Sequence, residues 1–127
     1  MAKLQFSTDN RTHGLTNAKG FAWIEREGIK FEYQVADNVL KVLKSDIKET
    51  FIGFDQIDSI RYKKAFFTGG TVFIALNSLK ALDRIPFVVD NEICLALKRN
   101  QKNNGKEFVV NGDLELSNYR MDKLNEL

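Results

Sequence analysis

Residues 51–76 read FIGFDQIDSIRYKKAFFTGGTVFIAL. Three apolar segments rich in β-branched and aromatic residues follow one another here: Phe51–Phe54, Ile57–Tyr62 and Thr71–Leu76. Such composition, punctuated by turn residues, predicts consecutive strands. Asp55-Gln56 turns the first into the second. The second and third are joined by Lys63-Lys64-Ala65-Phe66-Phe67-Thr68-Gly69-Gly70. Ile52, Phe54, Ile60, Tyr62, Val72, Ile74 and Leu76 are the expected core positions.

Upstream, Gly20 opens a strand in which Phe21-Ala22-Trp23-Ile24 carries apolar groups on both faces. Glu25-Arg26-Glu27-Gly28 is a tight turn. After it, Ile29, Phe31, Tyr33 and Val35 alternate with Lys30, Glu32 and Gln34. Period two with one polar face predicts a strand that meets solvent on one side. Asp37–Lys48 fits a helical turn or an irregular strand, and Leu79 with Leu82 is spaced for a further helical turn. Pro86, the sole proline, suits a sheet edge or strand start, so Ile85–Val88 is expected as a short strand. Ile93, Leu95 and Leu97 alternate with Cys94 and Ala96 in the last clear strand.

The two ends of the chain are less regular. Residues 1–19 form a mostly polar leader, in which Leu4, Phe6 and Leu15 offer local anchors for an added strand. At the other end, Asn111-Gly112 between Lys106–Val110 and Asp113–Leu116 is a hairpin signal. Against it, Val109, Gly112, Leu116 and Tyr119 share one helical face, and Ser117 suits the cap of a shorter helix. Local rules favour the hairpin. With no repeat and no low-complexity linker, residues 20–127 are expected to be one domain.

Composition narrows the chemistry. The 127 residues carry a formal net charge of +2, far from the basic excess of a non-specific nucleic-acid binder. A single cysteine, Cys94, excludes an internal disulfide, and its apolar surroundings predict a buried thiol. One histidine, His13, and one cysteine far apart give no metal-ligand spacing and no Cys/His nucleophile pair. Asp55 and Asp58 read as turn and solvent-face residues. Gly69-Gly70 is followed by a strand, not by the Lys-Ser/Thr and helix of a phosphate loop. The expectation is therefore a non-enzymatic protein with no cofactor, no metal and no nucleic-acid partner. Met1–Phe6 lacks the apolar run of a signal peptide, so a cytoplasmic location is expected.

The candidate binding residues are Lys63, Lys64, Phe66 and Phe67. Two cations beside two aromatic rings suit an anionic membrane surface or an acidic partner segment. Alternatively, Phe66 and Phe67 fold back to close a barrel end while the lysines stay solvated, and this is the favoured expectation. Lys98-Arg99, Lys102 and Lys106 form a second basic group without interleaved aromatics, a weak pattern for nucleic acid.

The run Lys44-Ser45, Lys48-Glu49, Ile52-Gly53-Phe54-Asp55-Gln56-Ile57-Asp58-Ser59-Ile60 and Tyr62–Gly70, with Ile85-Pro86 and Ile93–Lys98, resembles the bacterial pleckstrin-homology-like domains. The resemblance spans Gly20 to about Leu116. It implies a mainly β barrel or sandwich of about seven strands in two orthogonally packed antiparallel sheets, closed by a C-terminal helix. Gly53 stands where relatives often carry proline, and Asn103-Asn104-Gly105 and Asn111-Gly112 interrupt the expected helix. The implied function is a non-catalytic binding or assembly module, through protein–protein contact or self-association at exposed strand edges. Peripheral membrane binding through the Lys63–Phe67 loop is the alternative, and a small-ligand pocket or enzyme the third. The eukaryotic phosphoinositide-binding loop is not carried over, because the matching turn here, Glu25–Gly28, is short and net acidic.

Overall fold

The computed structural model describes residues 3–8, 16–37, 42–43, 46–77 and 85–127. The chain is mainly β, with one C-terminal helix. Its strands are β1 (Leu4–Ser7), β2 (Thr16–Glu25), β3 (Gly28–Asp37), β4 (Val42–Leu43), β5 (Lys48–Gly53), β6 (Ile57–Lys63), β7 (Thr71–Leu76), β8 (Val88–Val89) and β9 (Glu92–Ala96). The helix is α1 (Lys102–Asn125). Nine strands are described where about seven were expected, and β4 and β8 have only two residues each.

All pairings among the described residues are antiparallel, in the order β4-β3-β2-β1-β9-β7-β6, with β5 on β3 and β8 on β9. One half comprises β1 to β5 and the other β6 to β9. They join through the pairing of Ser7 with Ala96. The chain also passes between the halves at a short 3-10 turn, Phe54–Gln56, whose Phe54 is buried. The Phe54 N–H donates to the Glu27 carbonyl at 2.8 Å, tying this corner to the β2–β3 turn.

The inward residues are those the alternation predicts. Ile29, Phe31, Tyr33, Ile52, Phe54, Ile60, Val72, Ile74, Leu76, Ile93, Leu95 and Leu97 are all buried. Val35 and Tyr62, also expected on the inner face, are only half-buried against them. Cys94 departs from expectation. Ile93 and Leu95 take the inner face, so period two turns the thiol to the outer one, where it is half-buried with Sγ 3.7 Å from Glu92 Oε1. The short strand expected at Ile85–Val88 lies instead at Val88–Val89, with Pro86 and Phe87 in a turn before it. Asp90 and Asn91 both have positive φ, 54° and 60°, and form the two-residue turn into β9.

Within residues 1–19, Leu4–Ser7 is the added strand. Its two apolar side chains, Leu4 and Phe6, are buried between the neighbours β2 and β9. Thr8 closes it: the Ala18 N–H donates to the Thr8 hydroxyl at 2.9 Å, satisfying a buried polar group. Phe87 joins Phe6, Phe31 and Tyr33 in an aromatic cluster with centroid separations of 5.1–6.1 Å. Leu15, His13, Lys44-Ser45 and the turn proposed at Leu79 and Leu82 lie outside the described residues.

The tail corrects the hairpin reading. Lys102–Asn125 is one continuous helix through Asn111-Gly112, and Ser117 sits inside it. The glycines serve packing. A Cβ on Gly105 would lie 2.4 Å from Leu97 Cδ1, and one on Gly112 would lie 2.8 Å from Ile60 Cδ1. Phe108 and Leu116 are buried on the same face. From Gly105 at Tyr62, through Gly112 at Ile60, to Arg120 at Ile57, α1 runs antiparallel to β6 and covers the open side of the core. Arg120 Nη2 donates to the carbonyls of Ile57 and Asp58 at 3.3 and 2.8 Å. That is where β6 shifts register against β7, so the guanidinium occupies acceptors beside a bulge. No helix among the described residues is long and apolar enough to cross a membrane.

Candidate binding surface

The loop between β6 and β7 projects from one end of the sheet. Lys63, Lys64, Phe66 and Phe67 are all exposed. Phe66 keeps 89% and Phe67 83% of its accessible surface. The expectation that the two rings close the barrel is therefore corrected. That place is taken: α1 lies along β6, with Gly105 against Leu97 and Tyr62. The rings contact one another instead, edge to face, with centroids 4.9 Å apart and planes at 71°.

The loop is held in shape from beneath. The Tyr62 hydroxyl donates to the Gly69 carbonyl at 2.7 Å, and the Gly70 N–H donates to the Thr68 hydroxyl at 3.1 Å. Gly70 has φ of +88°, a conformation glycine takes without strain. The Gly69 N–H donates to the Leu97 carbonyl at 2.9 Å, and the Leu97 N–H to the Gly70 carbonyl at 3.0 Å. A Cβ on Gly69 would stand 2.0 Å from the Lys98 carbonyl oxygen, so the close approach requires glycine there.

These bonds bring together two basic groups that are separate in sequence. Residues 63–70 supply Lys63 and Lys64, and residues 97–106 supply Lys98, Arg99, Lys102 and Lys106. Neither segment contains a carboxylate. The opposite end is linked by backbone bonds from Phe54 to Glu27, Asn77 to Gln56 and Leu76 to Asn91. It gathers Glu25, Glu27, Asp55, Asp58, Asp90 and Glu92, offset in part by Arg26, by Arg61 paired with Glu92, and by Arg120 at the Ile57 and Asp58 carbonyls. The small net charge of +2 thus hides a basic pole and an acidic pole.

Beside the loop lies a depression of about 250 Å³, lined by Lys63, Lys64, Thr71, Phe73, Cys94 and others. A second, of about 190 Å³, lies between Lys98 and Phe21. Both fall below the roughly 300–1,000 Å³ usual for a small-molecule pocket. Among the described residues no three His, Cys, Asp or Glu side chains cluster to hold a metal. Residue types flagged the loop in the sequence. Its exposure and its union with Lys98 and Arg99 depend on pairing across the fold and carried no local signal.

Comparison with models of protein families, with curated proteins and with solved structures returns no match to this chain.

Proposed function

We propose that this chain is a non-catalytic, pleckstrin-homology-like binding module that works through its basic pole. The architecture supports the family reading: four main strands, then three, then a helix along the open side of the core. The observation that carries the functional reading is the exposure of Phe66 and Phe67 on a loop whose backbone is fixed by Tyr62, Thr68 and Leu97. Leaving a Phe side chain in water forgoes about 1.5–3 kcal/mol relative to burying it. A loop that holds two of them outward among cations is ordered for contact with something outside the chain. A lone cysteine, Cys94, which forms no disulfide, suits a reducing, cytoplasmic setting. The test is affinity capture from the native cell with the chain and with its Phe66→Ser/Phe67→Ser variant as baits. A ligand held by the first and lost by the second is expected. Identical retention by both removes the pole as the working surface.

A second reading, self-association, has its own support. On the face of α1 away from the core, Val110, Leu114, Met121 and Leu124 are 56–66% exposed. With Ser117 they recur at alternating steps of four and three, the spacing of a coiled-coil seam. Light scattering over a concentration series should show a dimer that Leu114→Lys/Met121→Lys abolishes. A monomer at every concentration ends this reading.

A further inference from the structure

We propose that the partner of the basic pole is an anionic lipid surface. Phe66 and Phe67 enter the boundary between headgroups and acyl chains, and the surrounding cations meet the headgroups. This rests on the reading of the pole as the working surface and names what it binds.

Three observations favour a bilayer over other partners. First, the apolar groups protrude. Phe66 and Phe67 are 89% and 83% exposed at a loop tip. A protruding apolar tip needs a soft, deformable apolar phase or a matching socket, and a bilayer provides the first everywhere. Second, the charge is complementary and one-signed. Six cations and no carboxylate lie on the two hydrogen-bonded segments 63–70 and 97–106. An anionic leaflet attracts such a cluster without demanding a fixed register. Third, the loop is already ordered by the bonds of Tyr62, Thr68 and Gly69, so insertion costs little further ordering of its backbone. A single-stranded nucleic acid fits less well. It uses aromatic faces as stacking platforms, whereas these two rings pack edge to face against each other.

The experiment is sedimentation of the chain with vesicles of phosphatidylcholine alone or mixed with phosphatidylglycerol. Binding is expected to the mixed vesicles only and to weaken as salt rises. Lys63→Glu/Lys64→Glu should lower it about tenfold or more. Phe66→Ser/Phe67→Ser should lower it about tenfold or more at any salt. Since neither ring is buried, the serine variant should keep the wild-type thermal melt, which guards against a folding artefact. A Phe66→Trp variant adds a direct reading: its emission should shift to the blue with mixed vesicles. If the wild type stays in the supernatant, or if the serine variant sediments equally, the lipid inference is overturned. If vesicles fail while a protein or an oligonucleotide binds the wild type and not the serine variant, the pole is still the working surface and only its partner is misassigned. If neither binds, both fall.

Discussion

Replacing Phe31 with alanine should remove about 3–5 kcal/mol of stability, the range for truncating a buried aromatic. Phe31 is fully buried on β3, which is paired on both sides, with β2 and with β5. Its ring stands edge-on to Phe6 at 6.1 Å and to Phe87 at 5.9 Å. Phe31 and these two partners come from three separate chain segments, so no local adjustment can fill the space the ring leaves. A domain of this size has about 5–15 kcal/mol in total, and the variant should sit near the edge of folding. Urea denaturation measures it directly. Phe66→Ala is the matched control, with the same atoms removed from an exposed site, and should change stability by no more than about 0.5 kcal/mol. Equal midpoints for the two variants would mean that the burial of Phe31 contributes nothing to stability.

The contrast between these two phenylalanines marks what the sequence can say. Phe31 was legible because Ile29, Phe31, Tyr33 and Val35 alternate with polar residues, and a period of two fixes which side chains share a face. Phe66 and Phe67 are adjacent, in a loop, and periodicity has no hold there. Apolar type alone argued for burial, and the outcome was set by α1 occupying the space beneath. The same holds for β1. Leu4–Ser7 is only four residues long, and its strand character comes from neighbours at Lys19–Ala22 and at Ala96. Local propensity is weak evidence where tertiary pairing decides.

The basic pole illustrates a further limit. Lys63-Lys64 and Lys98-Arg99 are more than thirty positions apart in sequence. Their meeting follows from β6, β7 and β9 being neighbours, so that the β6–β7 loop and the end of β9 lie on the same edge. Net charge, being a sum, conceals this separation of signs. The arrangement becomes visible only when the strand order is known.

Gly112 is where the strongest local signal failed, and it supports the other large prediction. Asn-Gly is a favoured two-residue hairpin turn, yet here it lies inside a 24-residue helix. Glycine costs a helix interior about 1 kcal/mol relative to alanine, so its presence there calls for a compensating contact. That contact is the approach of α1 to β6 and β2, where a Cβ would stand 2.8 Å from Ile60 Cδ1 and 3.2 Å from Ile24 Cδ1. Both obstacles are ends of flexible side chains. Gly112→Ala therefore sets a gain in helix propensity of about 1 kcal/mol against a modest repacking cost, and should leave stability nearly unchanged. Gly112→Leu cannot be absorbed in that way. Its side chain would enter the space filled by Ile24 and Ile60, forcing α1 off β6 and loosening Phe108, Leu116 and the Arg120 bonds with it. Overpacking of this kind costs about 1–3 kcal/mol and occasionally more, and the whole length of the helix is coupled to it. Circular dichroism during urea unfolding should show the leucine variant melting well before the alanine variant. If the leucine variant melts with wild type, α1 does not rest on β6 at Gly112, and the covering of the core must be assigned to the contacts at Gly105 and Phe108 alone.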